Sequence, residues 1–334
     1  MLKAPSHTRA LLKPQVILPV LLAAALLAFA FSLGDLGKVV DRVGKLSGKV
    51  LWLSLAASAC YLGVKAVQLW MLLNHIEVRI PARPFWLAFA VGETTMTLPL
   101  GLFSQNWVLS ASRRVHVGRS SAATVMMLVA EITVVFLFLA VVGVPGWGDV
   151  RWAAIGVLAL FALLILGLLL FERKARAFGE RLRRPLLVQA ARAGMELLDG
   201  MRKLTTPAIL AFSIVLAAVY LGALTAAFWL VGDGMGVPRL DYLTATTIYA
   251  FSLAAILVGA GLFSQIGTVE VLGMVVARAW GIGYTDGLAL MLGFRIVWTA
   301  SIWLLCLPIV ALNWREIPSR NARRSGDRGQ KVSR

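Results

Sequence analysis

The sequence predicts an all-α polytopic membrane protein with about six transmembrane helices and two re-entrant or short helical hairpins, arranged as two inverted halves. Three observations predict it. The 334 residues are 59% hydrophobic and only 15% charged, with a mean hydropathy of +0.82, a balance that no soluble class shows. Six apolar stretches reach the roughly 20 residues that a helix needs to cross a hydrocarbon core. The pentapeptide GLFSQ occurs twice inside apolar stretches, at 101–105 and 261–265. Paired Gly-containing, polar-tipped interruptions of this kind mark the broken helices of duplicated transporters.

In chain order, spans are expected at 14–33, 50–73, 121–144, 152–171, 207–231 and 288–312. The first follows Lys3, Arg9 and Lys13 and ends near Ala28-Phe29-Ala30, which resembles a signal-peptide cleavage site. Its apolar run exceeds the about 7–15 residues of a signal core, so it is read as a span. Residues 85–112 and 242–280 are apolar but interrupted, and they hold the two GLFSQ copies.

Orientation follows the Lys and Arg counts of the connections. The segment 172–206 carries nine basic against four acidic residues, and the tail 314–334 seven against two. Both are expected in the cytoplasm, with the N-terminus on the same side. That leaves 34–49 outside although it carries four basic residues. If each interrupted stretch enters and leaves on one side, the halves 50–144 and 207–313 face opposite ways. The membrane domain is thus 1–313, with a cytoplasmic connector at 172–206 and a basic, disordered tail at 314–334. Within the connector Leu187, Ala191, Gly194 and Leu198 share a helical face, consistent either with an interfacial amphipathic helix or with a charged linker. The expected location is a bacterial-type inner membrane, multi-pass, with both termini cytoplasmic.

The net charge of +17 sits mostly in loops and tails, where it points to anionic headgroups. No basic stripe is interleaved with aromatics on a soluble domain, so nucleic acid is not an expected partner. Cys60 and Cys306 are the only cysteines, and His7, His75 and His116 share no ligand spacing with them or with acids. No metal and no cofactor is expected. GxSxG, P-loop, GxGxxG and HExxH patterns are missing, and the expectation is a protein that is not an enzyme.

Ionisable groups at membrane depth cost about 2.5–3.5 kcal/mol each on insertion scales and normally face a cavity or a partner. They are the candidates for function. Glu93 lies in GETTMT before Pro99, and the first copy continues into Ser104, Gln105 and Asn106 before Arg113. The second copy runs GAGLFSQIGTVE, with Gln265, Gly267 and Glu270, and Arg278 two turns on. These residues either line a polar path or satisfy one another and the broken backbone. Glu131 falls mid-way in its span and Arg295 about one third into the last. If the halves are inverted copies, a Glu131–Arg295 ion pair is expected, with Glu131 as a clamp and Arg295 as a phosphate contact. Lys65 lies about one turn from Gln68, and its amine is read as snorkelling. Trp70, Trp86, Trp147, Trp152, Trp280 and Trp314 sit largely at segment ends, as interfacial anchors.

Four stretches together resemble a known family: LPLGLFSQNWVLSASRR, VGRSSAATVMMLVAEITVV, GLFSQIGTVE and GIGYTDGLALMLGFR. They are similar to the transmembrane domain of lysylphosphatidylglycerol synthases, a flippase-like family, over nearly the whole chain. Glu131, Gly267, Glu270 and Arg295 match family positions. The chain departs from the pattern at Phe103-Ser104, where the family carries Gly-Glu, and at Ile132, where it carries Arg. The Pro before the second Gly-rich turn is also missing, so a divergent stand-alone member without the aminoacyl-transferase domain is expected. The resemblance implies translocation of an anionic, aminoacylated or isoprenoid-type lipid between leaflets. The alternative is a membrane-embedded accessory subunit or transferase in lipid or lipid-linked sugar modification. Expected partners are membrane lipids, with a lipid-modifying enzyme or a second copy of the chain beside them.

Overall fold

A computed structural model describes residues 35–96, 101–113, 115–180, 185–258 and 265–313. The expected span at 14–33, Pro99, residues 261–264 of the second GLFSQ copy and the tail 314–334 lie outside the described residues. The helices are α1 (Leu36–Gly44), α2 (Gly48–His75), α3 (Ala82–Thr95), α4 (Ser104–Arg113), α5 (Val117–Val142), α6 (Asp149–Glu180), α7 (Pro185–Leu204), α8 (Pro207–Gly234), α9 (Tyr242–Val258), α10 (Gln265–Ala277) and α11 (Tyr284–Asn313). There is no strand among the described residues, and the protein is an all-α polytopic membrane protein.

Helices α2, α5, α6, α8 and α11 are long and apolar enough to cross a membrane, and they coincide with the five remaining expected spans. α2, α5, α8 and α11 begin and end within a few residues of expectation, whereas α6 runs on into the basic connector. Its extension, 172–180, is rich in Glu, Arg, Lys and Ala, all good helix formers. α6 is the outlier in packing. Trp152, Ile155, Leu160 and Leu163 are all exposed, as expected of a peripheral helix that faces lipid. From Pro185 the connector is helical as well, and α7 packs along α5. The close approach is made by Gly118, where any Cβ would run into the backbone of Ala193.

Both interrupted stretches are helical hairpins. α3 and α4 are 14 and 10 residues long, or about 21 and 15 Å at 1.5 Å per residue. Each is short of the roughly 30 Å hydrocarbon core. α9 and α10, at 17 and 13 residues, are short in the same way. The first break closes on Thr95, whose hydroxyl donates to the carbonyls of Val91 at 2.7 Å and Gly101 at 3.2 Å and lies 2.7 Å from Ser104 Oγ. Such back-bonding competes with helix propagation. At Gly101 a Cβ would strike the Thr95 carbonyl, so the turn needs glycine.

Packing between the two halves is reciprocal. α2 lies along α8; α3 packs on α11 and α9 on α5; the leading helices α1 and α7 pack on α11 and α5. α2 and α8 are both 28 residues long. Each ends in the same closing turn, with Val78 N donating to Leu73 O at 2.9 Å and Val237 N to Gly232 O at 3.0 Å. The residue that enables it has a positive φ, 62° at Glu77 and 65° at Gly236.

Each turn is held by a basic side chain from a helix of the opposite half. Arg42 of α1 donates to the carbonyls of Met235 at 3.1 Å and Gly236 at 2.7 Å, and pairs with Asp286 at 2.7 Å. Lys203 of α7 reaches Glu77 at 3.1 Å, where Arg119 joins it at 3.0 Å. The hydrogen bond and charge of Lys203, then those of Arg119, hold the Glu77 carboxyl below the usual glutamate range. A depressed carboxyl pKa contributes above the unfolded-state value and is lost as pH falls through the folded-state value. A nitroxide at position 79 is therefore expected to stay immobile from neutral pH into mild acid and to loosen below the ordinary glutamate range. Glu77→Gln should loosen it at neutral pH. Mobility that does not depend on pH in the parent protein would show that the clasp does not hold this turn.

Candidate functional site

Polar groups converge on Lys65, in the apolar interior where α2, α3, α5 and α8 meet. Its ammonium donates to Tyr61 Oη, one turn earlier on α2, at 2.6 Å. It pairs with Glu93 Oε1 of α3 at 3.1 Å and Glu131 Oε1 of α5 at 3.6 Å. Tyr220 of α8 donates to the same Glu131 oxygen at 2.8 Å. The side chains of Lys65 and Glu93 are 2% and 3% exposed. Charges this deep are tolerated only when paired and hydrogen-bonded; the cluster takes its three charges from the first half and the Tyr220 hydroxyl from the second.

A second ion pair lies in the hairpin of the other half. Arg295 Nε of α11 donates to Glu270 Oε1 of α10 at 2.7 Å, and the second Glu270 oxygen accepts from Gly267 N at 2.7 Å. Gly267 has φ 88°, a conformation open to glycine and costly for other residues. The carboxylate is thus fixed at both oxygens, near the start of α10, where orphan N–H groups favour negative charge.

Between the two clusters is a cavity of about 40 Å³, room for a few water molecules. Glu93 lines one side, Glu270 and Arg295 the other, and Tyr249 and Trp298 form aromatic walls. The cavity reaches Trp303, about half of which is exposed on the outer face of α11. Ile296, Leu304 and Leu307 are exposed on that helix too, so the mouth faces lipid. Aromatic contacts bridge the clusters: Tyr61 meets Tyr220 at 5.5 Å and Trp298 at 5.0 Å, and Phe294 stacks on Trp298 at 5.5 Å.

The residues of the first GLFSQN motif have another task. Gln105 and Asn106 both donate to Thr124 Oγ1 at 2.9 Å, and they are buried. Ser104 bonds Thr95 across the break. This arrangement pins α4 to α5 and closes the hairpin, leaving the cavity to Glu93. Arg278 lies over the Tyr284 ring at 5.6 Å, next to the turn before α11. The side chains of Arg113 and Gln265 lie outside the described residues.

A family model described as the lysylphosphatidylglycerol synthase TM region matches residues 16–306, which includes both ion-pair clusters, the cavity and both hairpins. The chain belongs to this family. No curated protein matches it. Of the positions through which the chain resembles the lysylphosphatidylglycerol synthase TM region, Gly267, Glu270 and Arg295 stand together, whereas Glu131 belongs to the Lys65 cluster.

Two expectations need correction. Glu131 does not pair with Arg295: it pairs with Lys65 and Tyr220, and Arg295 pairs with Glu270. Depth along a helix follows from the sequence, but the helix rotation that chooses partners follows from packing. Lys65 does not snorkel. It stands ten residues before the end of α2 at His75, about 15 Å of helix, farther than a lysine chain reaches. That distance was a usable signal. Tyr61 and Tyr220 had none, since a tyrosine within an apolar run reads as packing.

Proposed function

We propose that the protein moves a lipid with a phosphate-containing headgroup between leaflets, using the cavity between α3, α9, α10 and α11 as its headgroup site. The observation that carries this reading is a lipid-facing cavity at membrane depth whose polar wall is the Arg295–Glu270 pair. Arg295 is positioned to take the phosphate, since a guanidinium forks onto phosphate oxygens. Glu93 and Glu270 suit the ammonium of an aminoacylated headgroup. The family name supports a membrane lipid as the substrate class.

In this conformation the cavity is too small for a headgroup, so loading requires the hairpins to part from α11. The reciprocal packing of the halves supports an inverted repeat; the basic charge of the connections supports placing both termini in the cytoplasm, in an inner membrane. Inverted halves make rocking of one against the other a natural way to expose the site alternately. No bond of the lipid is made or broken in this scheme.

The test is reconstitution in liposomes with fluorescent phosphatidylglycerol and aminoacylated phosphatidylglycerol, read as movement between leaflets. Arg295→Ala and Glu270→Ala are expected to lower the rate at least about tenfold, the effect of roughly 1.4 kcal/mol at the rate-limiting step. Arg295→Lys keeps the charge but loses the fork, and should fall between. A wild-type protein that leaves the distribution of every lipid tested unchanged would remove the basis of the proposal.

A further inference from the structure

Charge counting at the Lys65 cluster leaves a remainder. One ammonium faces two carboxylates, Glu93 and Glu131, whose nearer oxygens lie within 3.6 Å of the same nitrogen. The other groups on the elements packed around Glu93 do not repair the balance. Tyr61, Tyr220 and Tyr249 and the thiol of Cys306 are neutral, and Arg295 and Glu270 already form a pair. If both carboxylates were ionised, the interior would hold one uncompensated negative charge, a state that low-dielectric surroundings penalise heavily.

A second observation shows where the remainder is answered. Glu93 Oε2 is buried and has no hydrogen-bond partner, although its sister oxygen is bound to Lys65. Its side chain is 3% exposed, and the residue lines the cavity shared with Glu270 and Arg295. Glu131, by contrast, has its nearer oxygen bound both by Lys65 and by the Tyr220 hydroxyl. The bare oxygen belongs to a residue that lines a space large enough for water, so a small side-chain rotation brings it into proton exchange with that space.

We infer that the Lys65–Glu93–Glu131 cluster is a proton-binding site that holds one proton at neutral pH, carried on Glu93 and exchanged through the cavity. Two like charges on one counter-ion share a proton, and the titration belongs to the set rather than to one residue. The site stands on this geometry alone. Its use as a coupling site, in which loss of the proton accompanies opening of the cavity, rests on the lipid-moving function proposed above.

The test is infrared spectroscopy of the full chain in nanodiscs, following the carbonyl stretch of protonated carboxyl groups at neutral pH in sodium-free buffer. Wild type should show a buried carboxyl band. Glu93→Gln should lose it. Glu131→Gln should lose it as well, because the remaining carboxylate then balances Lys65 and the proton leaves. Glu270→Gln should keep it. Lys65→Met should raise it about twofold, since both carboxyls then lack a counter-ion. Circular dichroism of each variant confirms that the helices are intact, and the wild-type band alone decides if a variant does not fold. A wild type without the band, or a band that survives both Glu93→Gln and Glu131→Gln, would overturn the inference. So would a band abolished by added sodium, which would identify a metal cation as the occupant. The band with no lipid movement would sink the transport reading but leave the proton site, while lipid movement without the band would do the reverse.

Discussion

Lys65→Met is expected to lower the stability of the folded protein by about 3–5 kcal/mol at neutral pH, the usual cost of breaking a buried ion pair from one side. Methionine nearly fills the space of the lysine chain, so the loss is electrostatic rather than a cavity effect. Glu93 and Glu131 lose the ammonium bound at 3.1 and 3.6 Å, and Tyr61 loses its donor. The direction with pH is opposite to that of the Glu77 clasp. Protons bound by the native state and not by the unfolded chain stabilise the native state as pH falls, so the deficit should shrink in acid. Thermal unfolding of the purified protein across pH measures both. A variant that melts with the wild type at neutral pH would show that the network bears no part of the fold.

Thr124→Val is expected to have the next largest effect. The substitution keeps the shape, but it removes the oxygen that accepts from Gln105 and Asn106 and the hydroxyl that donates back to Asn106 Oδ1 at 3.2 Å. Two buried amides are left without an acceptor, at about 1–3 kcal/mol for each orphaned group. Thr124→Ser keeps the oxygen and should restore most of the loss. Because α4 is held to α5 through this hydroxyl, the valine variant should also leave Gln105→Cys, made in a Cys-free background, more reactive to a thiol reagent. Equal melting and equal reactivity in the valine and serine variants would contradict the latch.

What could be read from the sequence divides along physical lines. The long helices could be read because each carries enough apolar residues to register in composition alone, and their bounds fell within a few positions at α2, α5, α8 and α11. The hairpins were legible through Gly101, Gly267 and the polar residues beside them, which no uninterrupted span would tolerate. The site was legible only as a set of costly residues. Glu93, Glu131, Glu270 and Arg295 were singled out, yet their pairing was not, because pairing depends on which way each helix is turned. Ser104, Gln105 and Asn106 illustrate the same limit: their polarity marked the break, but only Thr124, on another helix and with no signal of its own, explains how they are satisfied.

The clasp of α1 also bears on how the chain is made. The Asp35 amide lies 3.4 Å from Thr285 Oγ1, 250 residues further along, and Arg42 closes on Asp286 and on the turn at Met235. At about 5–20 residues per second, α1 waits on the order of 10–50 s for its binding partners to emerge from the ribosome. During that interval the Asp35 amide and the Arg42 guanidinium lack the Thr285 and Asp286 partners of the finished fold. The α1 clasp therefore stays incomplete until the last helix has been made, and chains cut short before Asp286 should be the ones that membrane quality control removes.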